Sequence, residues 1–112
     1  MMPTLFIDPG KFSHEFQLEQ ALLGDDDVNG KIESWQEIAT VWAHLEPVGT
    51  STVLFGEQSL AEVTHRITMR LRNDIKTGMR LRKGQRSFQI ITVHDPDETG
   101  RYLICRAREE GR

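Results

Sequence analysis

From His65 to Arg72 the chain changes character at every residue: His65, Ile67, Met69 and Leu71 fall on one side, Arg66, Thr68, Arg70 and Arg72 on the other. A period of two marks a strand with one apolar and one solvated face, because successive side chains leave a pleated backbone on opposite sides. The same period runs through FSHEFQLEQAL, where Phe12, Phe16, Leu18 and Leu22 alternate with Ser13, Glu15, Gln17 and Glu19, and His14 takes the apolar side. MRLRKGQRSFQIITVHD reads as a hairpin, with Met79 and Leu81 inward, Arg80 and Arg82 outward, a Lys83-Gly84-Gln85 connection, and Phe88 and Ile90 on the return.

Turn signals punctuate these segments. GDDDVNG separates the first strand from KIESWQEIATVWAHLEPV, which brings Trp35, Ile38, Val41, Trp42 and Leu45, and the two form a long strand pair with an exposed acidic tip. NDIKTG and DPDETG are further turns, the second leading into a last strand, RYLICRAR. Between Thr50 and Val63 the spacing is mixed, and Thr50, Ser51 or Thr52 can cap a short helix that Gly56 weakens. The expected fold is mainly β: a small antiparallel β-barrel or sandwich with one short helix and long loops. The 112 residues make a single domain, with 1–11 and 110–112 as loose ends.

No apolar run approaches the roughly 20 residues that span a bilayer, and MMPTLFIDPGKF lacks the basic start and apolar stretch of a signal peptide, so folding in the cytoplasm is expected. Cys105, the single cysteine, sits in YLICRA as a small apolar strand residue. Charge is divided more sharply than the net −3 suggests. Residues 1 to 64 hold 11 acidic and two basic side chains, net −9, while residues 65 to 112 hold 12 basic and six acidic, net +6. Eight of the 14 basic residues fall between His65 and Arg86, namely Arg66, Arg70, Arg72, Lys76, Arg80, Arg82, Lys83 and Arg86, opposed there by Asp74 alone.

Surface arginines usually line a solvated strand face, but that does not account for the near exclusion of acids. Two functional readings compete: the cations face nucleic-acid phosphates, or they meet the acidic half of an adjacent subunit in a ring. A single-strand-binding sheet displays aromatics among its cations, whereas Trp35, Trp42, Phe88 and Tyr102 fall mostly at positions that look buried. Sequence-tolerant contact with a nucleic-acid backbone fits better than base reading.

Catalytic and metal signatures do not form. Asp25, Asp27, Asn29 and Gly30 match the first half of a calcium loop, but Gln36 stands where the bidentate acid belongs and the flanks read as strands. His14, His44, His65 and His94 lie on four segments without zinc spacing, and no phosphate loop or nucleophile elbow occurs. No catalytic, cofactor or metal residues are assigned, and the chain is not expected to be an enzyme.

The order of segments resembles the phage head-tail joining proteins, the family that includes the stopper or head-closure proteins of long-tailed phages. The residues that carry the resemblance are Trp35, Val41, Trp42, Ala43, Glu46, Pro47, Thr64, His65, Arg66, Ile67, Met79, Arg80, Phe88 and Ile90, and it covers about residues 12 to 109. It implies a small β-barrel or sandwich with a short helix, assembled as a homo-oligomeric ring in the virion neck between the portal-adaptor complex and the tail. There it closes the DNA-filled head and offers the tail a docking surface. The implied partners are other copies of the chain, the adaptor or portal-side connector, the tail terminator or tail tube protein, and double-stranded DNA in the channel. No cofactor, catalysis or membrane is implied, and the resemblance fits an infectious phage, a degenerate prophage and a domesticated particle that transfers host DNA alike. On this reading Arg66, Arg70, Arg72, Lys76, Arg80 and Arg82 are a subunit-interface or DNA-channel face. Val53, Leu54 and Phe55, within Gly49 to Glu57, are a candidate docking loop, and the turn from Asn73 to Gly78, with Lys76 at its tip, is a candidate for the lumen. The alternative is a small nucleic-acid-binding barrel that uses the basic face from Arg66 to Arg86.

Overall fold

In the structure, a computed structural model, residues 7–23, 32–55 and 59–110 are described, with residues 32–33, 50–55 and 59–61 described for their backbone alone. Six strands follow one another: β1 (His14–Leu23), β2 (Ile32–Phe55), β3 (Ser59–Arg70), β4 (Arg80–Lys83), β5 (Arg86–His94) and β6 (Tyr102–Glu110). All pairings are antiparallel, in the order β1-β2-β3-β6-β5-β4, and β4 returns to β1 to close a barrel. Closure leaves the barrel wall without an open edge.

Within the barrel wall the period-two segments place their apolar residues inside as their spacing dictates, while Leu22 lies beyond the wall and is exposed. Ile67 and Met69 are fully buried while Arg66 and Arg70 are exposed, and Leu81 is buried between Arg80 and Arg82. Phe16 and Phe88 meet edge to face, ring centroids 5.8 Å apart, at the centre of a core that also takes Leu18, Ile67, Met69, Leu81, Ile90 and Cys105. Ala43 and Ala107 supply the small positions that let these larger side chains interlock at interior density. The β4–β5 connection is a two-residue turn, Lys83 pairing with Arg86, and Gly84 takes the left-handed backbone (φ 61°) that the first position of such a hairpin demands.

One expectation is corrected. Among the described residues between Thr50 and Val63 there is no helix: Ser51 to Phe55 continue β2 and pair with Val63 to Ser59 of β3, past a register irregularity between Pro47 and Ser51. Thr50, Ser51, Thr52 and Val53 suit a pleated strand better than a helix once a partner strand is available, because three of them are β-branched. The described N-terminal residues precede β1 as a short turn. Pro9–Lys11 form a short 3-10 turn capped by the Asp8 carboxylate, which accepts from the Gly10 backbone N–H at 2.9 Å, and Phe12 packs edge to face on Tyr102. At the other terminus β6 runs through Glu110.

β2 is far longer than the barrel is tall. Its first part pairs only with β1, from Gln20↔Gln36 to Leu23↔Ile32, and its last part only with β3, so a two-stranded ribbon leaves the barrel at each end of β2. The acidic turn between β1 and β2, with its half-matching calcium loop, lies outside the described residues.

Candidate functional site

The basic run lies on the outer surface of β3, on the loop after it, and on β4 and β5, and most of its guanidinium groups already hold a carboxylate of the same subunit. Arg66 binds Glu46 through two parallel bonds, Nε to Oε1 at 3.1 Å and Nη2 to Oε2 at 3.0 Å. Arg72 binds Asp74 in the same way at 3.0 and 2.8 Å, and Arg86 binds Glu109 at 2.8 and 3.1 Å. The forked guanidinium matches the carboxylate plane, which makes this the strongest common form of ion pair. The carboxyls respond accordingly. Hydrogen bonding from Arg66 holds Glu46 below the usual carboxylate range, and Arg72 does the same for Asp74.

The tightest cluster is centred on Glu19. Its carboxylate is bound by Arg80 Nε at 2.6 Å and by Arg82 Nε at 2.9 Å, and the residue is only 6% exposed. Arg80 also lies over the Trp35 ring, 4.2 Å from its centroid, in a cation–π contact that shields it further. Burial disfavours the Glu19 anion, but the two arginine hydrogen bonds outweigh it and its pKa falls below the ordinary value. Strict alternation puts Glu19 outside, opposite Leu18. It stays on that outer face, paired with Arg80 as Leu18 pairs with Leu81 inside, and its bonds to Arg80 and Arg82 lie along the β1–β4 seam.

Of the six cations proposed from sequence as an interface or channel face, Arg66, Arg72, Arg80 and Arg82 are thus engaged within the subunit. Arg70 and Lys76 have no ion-pair partner among the described residues, and neither has Lys83. Arg70 lies in an open cleft of about 400 Å³ with Pro9, Phe12, Trp42 and Leu71. Lys76 lies in another, of about 480 Å³, beside Gln20, Ala21 and Ile38. Val53, Leu54 and Phe55 belong to the β2–β3 ribbon, and their side chains lie outside the described residues.

Trp42, expected at a buried position, is 53% exposed. The reason is the strand period: Val41 and Ala43 take the two inward positions on either side, so the indole must point out. At one end of the barrel Thr64 Oγ1 lies 2.9 Å from His65 Nδ1 and accepts from the Glu109 backbone N–H at 2.8 Å. Burial lowers the His65 pKa more than the Glu109 carboxylate, 3.9 Å from Nε2, raises it. Cys105 is fully buried, and burial pushes its thiol up to about 12. Among the described residues no group of three or more acidic, histidine or cysteine side chains is placed to hold a metal ion.

A family model described as phage head completion protein matches residues 7–110, which takes in the N-terminal turn and all six strands. Among solved structures, a chain from the virion of a native gene transfer agent particle superposes with a TM-score of 0.66, is 29% identical, and covers 88% of this chain and 94% of that one. No curated protein sequence matches.

Proposed function

The chain belongs to the phage head completion protein family, structural components of the virion, and on that premise we propose that it assembles as a ring between the portal-adaptor complex and the tail. There it closes the DNA-filled head and presents the surface on which the tail docks. The observation that carries this reading is the family match across residues 7–110, supported by the likeness to a chain of a gene transfer agent virion over nearly its whole length. The form of the subunit suits the task. A closed barrel is a rigid block, while ribbons extending from it reach beyond the block to neighbours. The β2–β3 ribbon, which carries Val53, Leu54 and Phe55, is the proposed docking element for the tail. Arg70 and Lys76, the cations of the proposed face without an ion pair among the described residues, are the ones we assign to DNA in the channel or to an acidic neighbour. Arg66, Arg72, Arg80 and Arg82 fix the subunit's own surface.

The test is electron microscopy of particles from cells that lack this gene. Separate heads and finished tails, with DNA lost from the heads, support head closure and tail docking. Normally joined particles refute it.

A further inference from the structure

Two surfaces stay unsatisfied after the subunit has packed its own core. The first is the β1–β2 ribbon. Leu22 is 41% exposed, Leu23 54% and Ile38 39%, and from Gln20 to Leu23 no strand lies beside the ribbon on its outer edges among the described residues. A two-stranded ribbon with bare leucines is marginal in water and gains from cover. Glu37 on the same ribbon is exposed and has no ion pair among the described residues. The second surface is the cleft lined by Pro9, Phe12, Trp42, Arg70 and Leu71, where an exposed indole stands with an unpaired guanidinium. Tryptophan and arginine are the residue types that most often anchor protein interfaces.

The two surfaces complement each other in chemistry, aliphatic and acidic against aromatic and basic, yet one subunit cannot join them. Leu22 pairs with Ser34, and Ser34 lies eight residues before Trp42 on the same strand, about 26 Å away at the strand rise. A continuous strand does not fold back over that distance. The charge division of the chain points to the occupant, since the ribbon belongs to the half with net −9 and Arg70 to the half with net +6.

We propose that the β1–β2 ribbon of one copy seats in the Trp42–Arg70 cleft of the next, with Leu23 against Trp42 and Phe12 and Glu37, whose pair Glu19 shares the face of Leu23, toward Arg70. The contact joins two different patches, so it propagates head to tail and closes into a ring when its rotation closes. This rests on the ring reading above and adds which surfaces meet.

The test places a photoreactive amino acid at Leu23 of the full-length chain in cells that make the particle, half of the chain being isotope-labelled. Purified particles are irradiated and the cross-links identified by mass spectrometry. Leu23 is outside the core, so an unchanged thermal midpoint is expected for the purified variant. The expected product is a labelled-to-unlabelled homodimer joined near Trp42 or Arg70 and lost in Trp42→Ala. A homodimer joined elsewhere, a link to another virion protein or to DNA, or no link while the chain is present in the particle overturns this interface and leaves head closure standing. Complete particles that lack the chain overturn both.

Discussion

The barrel closes on its narrowest seam, where β1 and β4 share the pairs Gln17↔Arg82, Leu18↔Leu81 and Glu19↔Arg80, and Glu19→Gln tests how much of that closure is electrostatic. The substitution keeps shape and one acceptor oxygen but removes the charge that two guanidinium groups share. Breaking a buried pair by removing one partner costs about 3–5 kcal/mol, because the remaining charge stays desolvated. Arg80 and Arg82 are partly solvated here, at 23% and 37%, so some of that penalty is recovered by water. The expected loss is about 2–3 kcal/mol, or a fall of about 8–12 °C in thermal midpoint for a domain of this size. Urea unfolding followed by tryptophan fluorescence measures it. The pH dependence supplies a second check. The Glu19 pKa lies below its ordinary 4.5, so its contribution is complete above that value and fades as acid lowers the pH through the folded-state value. The stability gap between wild type and Glu19→Gln therefore closes in acid. A loss under about 0.5 kcal/mol at neutral pH, within the range of ordinary surface substitutions, refutes the claim that Glu19 latches the seam.

Glu46→Gln removes a more exposed pair with Arg66, and its cost should stay under about 1 kcal/mol and shrink further in salt, read from the same urea titration. Cys105 should react with a thiol reagent only as fast as the protein unfolds, since its side chain is buried and its pKa is raised to about 12; rapid labelling of native protein contradicts the packing. Burial lowers the His65 pKa, so the unfolded chain binds that proton more readily and stability should fall as pH drops from 6.5 toward the lowered value. Thermal midpoints of His65→Gln should show a weaker dependence on pH across that window.

The barrel was legible wherever one residue in two had to be buried. Ile67 and Met69, Met79 and Leu81, and Phe16 and Leu18 lie inside because alternation leaves them no other side. Trp42 was misjudged because its residue type was weighed above its period; Val41 and Ala43 already claimed the inward positions. The spacing between Thr50 and Val63 suggests a helix because Thr and Ser serve equally as caps and as strand residues, and the strand state of Ser51 to Phe55 is decided by its pairing with Ser59 to Val63. Glu19 was out of reach for a different reason. Alternation places it on the outer face, but its partners Arg80 and Arg82 stand 61 and 63 residues further along the chain, and only the β1–β4 pairing brings them to it. The division of charge between the two halves could be counted in the sequence, but folding decides how much of it is settled within one subunit.

That settlement sets how strongly a single copy can hold DNA. Each phosphate contact by a cation adds about −0.9 to the slope of log K against log salt on duplex DNA. With Arg66, Arg72, Arg80, Arg82 and Arg86 engaged by carboxylates, the basic run leaves Arg70, Lys76 and Lys83 available, and Lys11 and Arg106 outside the run are also without an ion pair among the described residues. The isolated chain should therefore bind a duplex weakly, with a slope no steeper than about −4.5 from the described cations. A slope near −8 requires the internal pairs to open on DNA and makes the free subunit a nucleic-acid-binding protein in its own right. A shallow slope suits a channel wall. On the proposed role, DNA leaves the closed head through such a wall, and a surface whose arginines are already neutralised by Glu19, Glu46 and Glu109 would hold its shape without holding the duplex.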